Sequence, residues 1–195
     1  VLGDTKTLEN TVNDPNTANF PICYVIQDDS TSNKVLIDNE TEKRKLSPAF
    51  APLNLGADYQ EDDRFITLEP TKSNASAYYP DKIIRLVEYL LKHPEQDVLL
   101  VPTTILWGRA PENEDSWYKA LMTDAWAKPT GIKQALNITL YGRNNYIEFH
   151  QAVSLRQLID SAIELTPNFS PAHYVVTELN KQFNGYKEAI LGPDI

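Results

Sequence analysis

The sequence has little of what disulfide-bonded proteins and metalloproteins are built from. Its 195 residues include one cysteine and three histidines, so a disulfide within the chain is excluded. The single thiol, Cys23, lies in the apolar stretch Ile22–Ile26 and is expected to be buried and inert. The histidines share no metal-ligand spacing, so a metal site is not expected. No cofactor is expected either, and the single cysteine favours a reducing compartment.

Long hydrophobic runs and an excess of positive charge are also missing. The longest apolar run, residues 98–107, is about half of what a membrane-spanning helix needs, and no signal-peptide pattern opens the chain. The 18 basic and 27 acidic side chains give a net charge of -9. Nucleic acid and anionic membrane surfaces would repel such a protein, so neither is expected as its main partner. The 42% of hydrophobic residues can fill the core of one globular domain.

Strand and helix patterns alternate along the chain and predict an α/β fold. Continuous apolar runs predict strands at residues 22–26, 64–68 and 98–107. Periodic or capped segments predict helices at residues 34–46, 81–93, 155–163 and 171–183. Residues 47–63 are expected to form a loop, and residues 137–141 and 146–149 a hairpin. The prediction is a mostly parallel sheet with flanking helices and one β-hairpin.

The helix at residues 81–93 has the clearest pattern. One apolar stripe along it consists of Ile83, Leu86, Val87, Leu90 and Leu91. A short connection returns the chain to the strand at residues 98–107, so the stripe is expected to pack against that strand.

Arg109 is the first candidate for a binding residue. It follows the buried strand at residues 98–107, at the end of a parallel strand where open α/β sheets bind ligands. Its guanidinium could hold a phosphate or carboxylate through two hydrogen bonds. Alternatively, it forms an ion pair with Glu112, Glu114 or Asp115, or with a neighbouring domain.

Two short motifs give the chain a resemblance to a known family. They are Gly-Arg-Ala-Pro at residues 108–111 and Val-Ser-Leu-Arg at residues 153–156. From about residue 20 to residue 193, the chain resembles the amino-terminal region of bacterial membrane-bound glycerol-3-phosphate acyltransferases. These enzymes esterify the first hydroxyl of glycerol 3-phosphate with a fatty acyl group taken from an acyl thioester, in phospholipid synthesis. The resemblance implies a parent protein on the cytoplasmic side of the bacterial inner membrane, with this fragment soluble.

The catalytic motif of that family is missing from this sequence. In the family, a histidine and an aspartate in an HxxxxD loop deprotonate the substrate hydroxyl, and no His-x4-Asp occurs here. His93 comes nearest in spacing, but it stands at a predicted helix end, where it is expected to be a cation favoured by the helix dipole. Both ends of the chain look cut. The expected domains are a surface leader at residues 1–20, an α/β domain at 21–165 and a helical segment at 166–195. The helical segment is expected to lead to a catalytic domain that is absent from this sequence. That catalytic domain is the expected partner.

The chain also resembles a degenerate copy of an acyltransferase domain. Asp28 and Asn33, in the loop after the first strand, occupy the positions of the family's histidine and aspartate. Residues 69–73, Glu-Pro-Thr-Lys-Ser, resemble the family's substrate-binding Glu-Gly-Thr-Arg-Ser, so Thr71 and Lys72 are candidate substrate-binding residues. If the copy is real, the loops after these two strands share one edge of the sheet, and Asp28 could pair with Lys72.

Rival functions from other classes fit some of the same residues. One is a freestanding phosphate-binding enzyme that uses Asp28, Lys72 and Arg109 at the strand ends. A magnesium-dependent phosphohydrolase built on Asp28 and Asp29 is a variant of it, although adjacent carboxylates diverge. Another is a protein-interaction module whose tryptophans, Trp107, Trp117 and Trp126, form its binding face.

Overall fold

The computed structural model describes residues 20–69, 80–106 and 146–191. In chain order the elements are β1 (Ile22–Ile26), α1 (Thr31–Lys43), β2 (Leu53–Gly56), β3 (Tyr59–Glu61), β4 (Phe65–Thr67), α2 (Asp81–Lys92), β5 (Leu99–Leu106), β6 (Tyr146–Phe149), β7 (Val153–Ser154), α3 (Leu155–Leu165) and α4 (Pro171–Leu191).

A mixed, mostly parallel sheet forms the centre of the fold. Its strand order is β4-β1-β5-β6, and β1 is parallel to both of its neighbours. β6 and β7 both pair with β5 in the antiparallel sense, β7 near its start and β6 towards its end. The predicted α/β class and mostly parallel sheet are confirmed.

Helices cover both faces of this sheet. On one face, Tyr24 and Val101 pack in a cluster with Ile37 of α1. On the other face, Val25 and Leu100 belong to a larger cluster that includes side chains of α2, α3 and α4. Every residue of β1 is buried, as expected for a parallel strand with helices on both sides.

The α2 stripe packs largely as its periodicity predicts. Ile83, Leu86 and Leu90 are fully buried in the same cluster as Leu100 of β5. Leu91 is the exception, because 44% of its surface remains exposed. The stripe that faces the sheet is therefore narrower than the sequence pattern indicates.

The prediction of a loop over residues 47–63 is wrong, because β2 and β3 form an antiparallel hairpin there. Leu53, Leu55 and Tyr59 point into the core, and the residues between them face outwards. Gly56 adopts a φ of 147°, and a Cβ at this position would lie 3.0 Å from the Tyr89 hydroxyl. Glycine thus allows the hairpin to approach α2 closely.

The hairpin predicted around residues 142–145 lies only partly within the described residues, so it stays a prediction. Residues 137–141, its first half, lie outside the described residues, and Tyr146–Phe149 pairs with β5. The predicted strand at residues 146–149 is confirmed, with β5 as its described neighbour.

Helices α1 and α4 depart furthest from the predicted helix ends. α1 begins at Thr31, because the Ser30 side chain caps it by accepting a hydrogen bond from the Asn33 amide at 3.4 Å. α4 continues beyond Phe183 to Leu191, through Asn184 and Gly185. A Cβ added at Gly185 would have no neighbour within 4 Å, so no close contact requires a glycine at that point of the helix.

Helix α4 belongs to the same core as the sheet. Val175, Leu179 and Phe183 are buried in the cluster that also contains residues of β1 and β5. The domain boundary expected at residue 166 therefore falls between two helices, α3 and α4, that share one core; the boundaries themselves stay predictions.

Candidate functional site

The loops after β1 and β4 begin side by side at one edge of the sheet. The two strands are parallel neighbours, with Ile26 opposite Thr67. Beyond them, the Leu68 amide donates to the Ile26 carbonyl at 3.0 Å, and the Glu69 amide donates to the Gln27 carbonyl at 2.8 Å. This is the carboxyl end of the parallel strands, where folds of this class bind ligands. The shared edge predicted from the sequence is confirmed.

Asp28 and Asn33 are in direct contact at this edge. The Asn33 side-chain amide donates to an Asp28 carboxylate oxygen at 2.9 Å, and Asn33 is buried. The contact forms because Ser30 starts α1 and so returns Asn33, in its first turn, towards the end of β1. The two positions that correspond to the family's histidine and aspartate thus form a hydrogen-bonded carboxylate–amide pair. An amide has no titratable nitrogen, so this pair offers no imidazole-like base near pH 7.

A cation that the sequence analysis did not single out lies beside this pair. Lys34 Nζ is 2.5 Å from an Asp29 carboxylate oxygen and 5.7 Å from the centre of the Phe65 ring. The side chains of Asp29 and Lys34 are both partly exposed. Adjacent carboxylates at the edge therefore have separate partners, as Asp28 contacts Asn33 and Asp29 contacts Lys34. Because α1 starts three residues earlier than predicted, Lys34 lies at the end of its first turn rather than at its first position.

Several predicted binding residues lie outside the described residues. These are Thr71 and Lys72, Arg109, and the tryptophans at 107, 117 and 126. The predicted pairing of Asp28 with Lys72 involves one of them, so it stays a prediction.

The Val-Ser-Leu-Arg motif serves as a clamp between α2, β5 and α3. The Asp97 carboxylate accepts hydrogen bonds from the Val98 amide at 2.7 Å, the Ser154 hydroxyl at 2.6 Å and the Arg156 amide at 2.9 Å. These bonds satisfy backbone donors at the start of α3 and place a negative charge near its N-terminus.

The Arg156 side chain completes this clamp. Its guanidinium donates to the carbonyls of Leu90, His93 and Gln96, which lie at the C-terminal end of α2 and in the turn that follows. Helix ends leave carbonyls without partners, and a cation is favoured there. The motif that carries the family resemblance therefore has a structural explanation in these contacts.

His93 lies at the end of α2, as predicted. Its Nδ1 is 2.9 Å from the Tyr89 carbonyl, and its ring stacks on the Tyr89 ring at 4.1 Å. A carbonyl oxygen only accepts, so Nδ1 carries the hydrogen. These contacts place His93 against α2, away from Asp28 and Asn33 in the fold, and fit its interpretation as a helix-end residue.

His150 is buried, although its alternation with Ile147 and Phe149 along the strand predicts from the sequence that it faces outwards and is exposed. That prediction is wrong. The expectation assumed that the outward side of β6 meets solvent, but α4 covers it: the Tyr186 ring stacks on the imidazole at 3.6 Å. His150 Nε2 is 2.9 Å from the Thr104 hydroxyl, and Nδ1 is 3.9 Å from a Glu148 carboxylate oxygen. Burial lowers the pKa of His150, and the negative charge of Glu148 opposes this by raising it.

Cys23 is buried as predicted, and burial raises the pKa of its thiol to about 12. A thiol in this state stays protonated and does not act as a nucleophile. Across the described part of the chain, no group of three or more potential ligands is placed to hold a metal ion. None of the helices in residues 20–69, 80–106 and 146–191 is long and apolar enough to cross a membrane.

The fold is that of an α/β domain. At the described part of its strand-end edge, the polar residues contact one another. Comparison with known proteins gives its family. The chain belongs to the family described as "Glycerol-3-phosphate acyltransferase PlsB N-terminal domain", whose sequence profile matches residues 2–192. The resemblance found in the two motifs is therefore confirmed.

Known proteins of this description are much longer than the matched region. The chain is 29% identical over 179 residues to the glycerol-3-phosphate acyltransferase of Pseudomonas fluorescens (strain SBW25), covering 90% of this chain and 21% of that protein. It is 30% identical over 145 residues to that of Shewanella loihica, covering 72% of this chain and 18% of that protein. The chain thus spans about a fifth of the length of these relatives. No solved structure matches it significantly.

Proposed function

We propose that this chain is the non-catalytic N-terminal domain of a glycerol-3-phosphate 1-O-acyltransferase. The observation that carries the proposal is the family match over residues 2–192, combined with the 21% share of the first relative that the chain spans. Most of such a relative lies outside the matched region, so a catalytic domain has room in the same polypeptide. The role proposed for this domain is to support or regulate that catalytic domain.

The geometry of the strand-end edge supports a non-catalytic role. Transfer of an acyl group to a hydroxyl needs a base that can take the hydroxyl proton near pH 7. At the described part of this edge, Asp28 contacts Asn33 and Asp29 contacts Lys34, so the carboxylates already have partners. Both pairs fit a domain that keeps the fold while lacking the base.

The proposal extends to the reaction of the parent protein. It would transfer an acyl group from an acyl thioester to the first hydroxyl of glycerol 3-phosphate, in phospholipid synthesis on the cytoplasmic side of the bacterial inner membrane. Thr71, Lys72 and Arg109 are proposed as substrate-binding residues, and Asp28 and Asn33 as remnants of the HxxxxD pair. The parallel, adjacent placement of β1 and β4 supports this, because it brings both loops to one edge.

The test is acyl transfer to glycerol 3-phosphate by two purified proteins, residues 1–195 and the full-length polypeptide. We expect turnover by the full-length polypeptide and none by residues 1–195. Turnover by residues 1–195 alone would favour the freestanding enzyme instead. Inactivity of a folded full-length polypeptide would contradict the proposed reaction.

A further inference from the structure

Three large apolar side chains are exposed around the turn between α3 and α4. Ile163, Leu165 and Phe169 have exposed fractions of 50%, 66% and 67%. We call these three residues the α3–α4 apolar surface. Phe50 and Leu91 are also large, apolar and exposed, and each of them lies apart from this turn in the sequence. Leu165 and Phe169 flank the same short turn, and a group of large exposed apolar side chains is typical of an interaction site.

The backbone under this surface is fixed by hydrogen bonds. The Thr166 amide and hydroxyl both donate to the Ala162 carbonyl, at 2.9 Å and 2.8 Å, and the Phe169 amide donates to the Thr166 carbonyl at 3.0 Å. On either side, Ala162 and Ala172 are buried in the core. The apolar side chains are thus held out by an ordered turn between two packed helices, which lowers the entropy cost of binding a partner.

The charge around the surface restricts what can bind it. Residues 157–180 contain Asp160, Glu164 and Glu178 but no lysine or arginine, and Glu178 forms an ion pair at 3.7 Å with Lys181, just beyond this stretch. Asp160 and Glu164 are therefore the acidic residues that carry this argument. An anionic lipid surface would be repelled by this stretch, since binding to such membranes relies on clustered basic residues. Two copies related by a twofold axis would bring the same acidic residues together, which disfavours self-association.

We propose that the α3–α4 apolar surface is where this domain docks onto the remaining part of the acyltransferase polypeptide. The complementary surface there has an apolar centre that receives Phe169 and Leu165, bordered by lysine or arginine facing Glu164. This inference rests on the proposed function, because it assumes the longer parent. The relatives support the assumption, as the chain spans only 21% of the first of them.

The first experiment is photo-crosslinking in the full-length polypeptide with p-benzoylphenylalanine in place of Phe169. The matched control carries the same group in place of Phe50, which is also exposed, at 41%, but lies between α1 and β2. We expect position 169 to crosslink within one polypeptide to a peptide beyond residue 195, and position 50 not to crosslink to that peptide. Crosslinks from position 169 to lipid, to a second copy, or to nothing would each overturn the inference.

A charge variant gives a second, independent readout in the same protein. Phe169→Asp adds a negative charge to a stretch that already contains Glu164 and removes the apolar contact, so we expect a lower temperature of thermal inactivation for the full-length enzyme. Ala57→Asp, at an exposed position in the turn between β2 and β3, is the control and should leave that temperature unchanged. Equal effects of the two substitutions would contradict the docking site. Activity of the unsubstituted full-length enzyme tests the proposed function separately, so the two ideas can fail independently.

Discussion

Arg156 links three parts of the chain through its side chain. It starts in α3 and donates to carbonyls at the end of α2 and in the turn before β5. A sequence motif alone cannot distinguish an arginine that binds substrate from one that closes a helix end, since both use the same guanidinium donors. The structure decides in favour of the helix end.

Replacing Arg156 should therefore destabilise the fold. Arg156→Ala leaves several partly buried carbonyls without a donor, and we expect the free energy of unfolding to fall by about 2 to 3 kcal/mol. Urea denaturation followed by circular dichroism measures this. Arg156→Lys should recover only part of the loss, because an ammonium group lacks the planar spread of guanidinium donors. Lys92→Ala, on the exposed side of α2, is the control; an equal stability of all four proteins would refute the clamp.

His150 should make the stability of the protein fall in mild acid. Its pKa in the folded state lies below its usual value because burial disfavours the charged ring. The unfolded chain then takes up the proton more readily, so the free energy of unfolding decreases as the pH drops below about 6.5. Glu148 and Tyr186 face the ring, and the Glu148 carboxylate reduces the effect.

Urea denaturation at about pH 7.5 and about pH 5.5 checks this expectation. The decrease in unfolding free energy between the two values should be smaller in His150→Gln, which keeps a side-chain amide near the Thr104 hydroxyl but does not titrate. If the variant and the original protein lose the same free energy, another group is responsible for the acid sensitivity.

Among the elements, α2 shows how far periodicity alone predicts packing. Its stripe correctly indicates the face that meets the sheet, but the pattern alone could not tell that Leu91 lies beyond the contact. The edge of the stripe depends on the neighbours that cover it. Here the hairpin β2–β3 and helices α3 and α4 share the cluster with α2. Such neighbours come from distant parts of the chain.

This difference between Leu86 and Leu91 can be measured. Leu86→Ala removes a fully buried side chain and should cost about 2 to 5 kcal/mol of unfolding free energy, through lost burial and a cavity. Leu91→Ala, one and a half turns away on the same helix, should cost much less because Leu91 is 44% exposed. Chemical denaturation of both variants provides the comparison. Equal losses would mean that the two leucines are equally packed.

At the scale of the whole molecule, the sequence predicts the layers well and the local details less well. Long apolar runs such as Ile22–Ile26 identify strands because only a buried strand tolerates apolar residues on both faces. The β2–β3 hairpin escaped prediction because its strands have four and three residues and are stabilised by packing on α2. His150 was misplaced because a strand pattern shows two faces but does not say which of them a later helix covers.

Only part of the candidate site could be predicted from the sequence. The strand-and-loop pattern around Asp28 is local, and parallel pairing of β1 with β4 then brings the two loops together. The Asn33–Asp28 hydrogen bond depends on where α1 starts, which the Ser30 cap decides. Lys34 was missed for the same reason.

The acyl-transfer assay tests the central claim, that this domain is not the catalytic part, most directly. It compares residues 1–195, the full-length polypeptide, and the full-length polypeptide carrying Asp28→Ala. We expect no turnover by residues 1–195, and turnover by the Asp28→Ala protein within about tenfold of the original, whereas loss of a general base costs on the order of 100- to 10,000-fold. Turnover by residues 1–195 alone that Asp28→Ala abolishes would contradict the account.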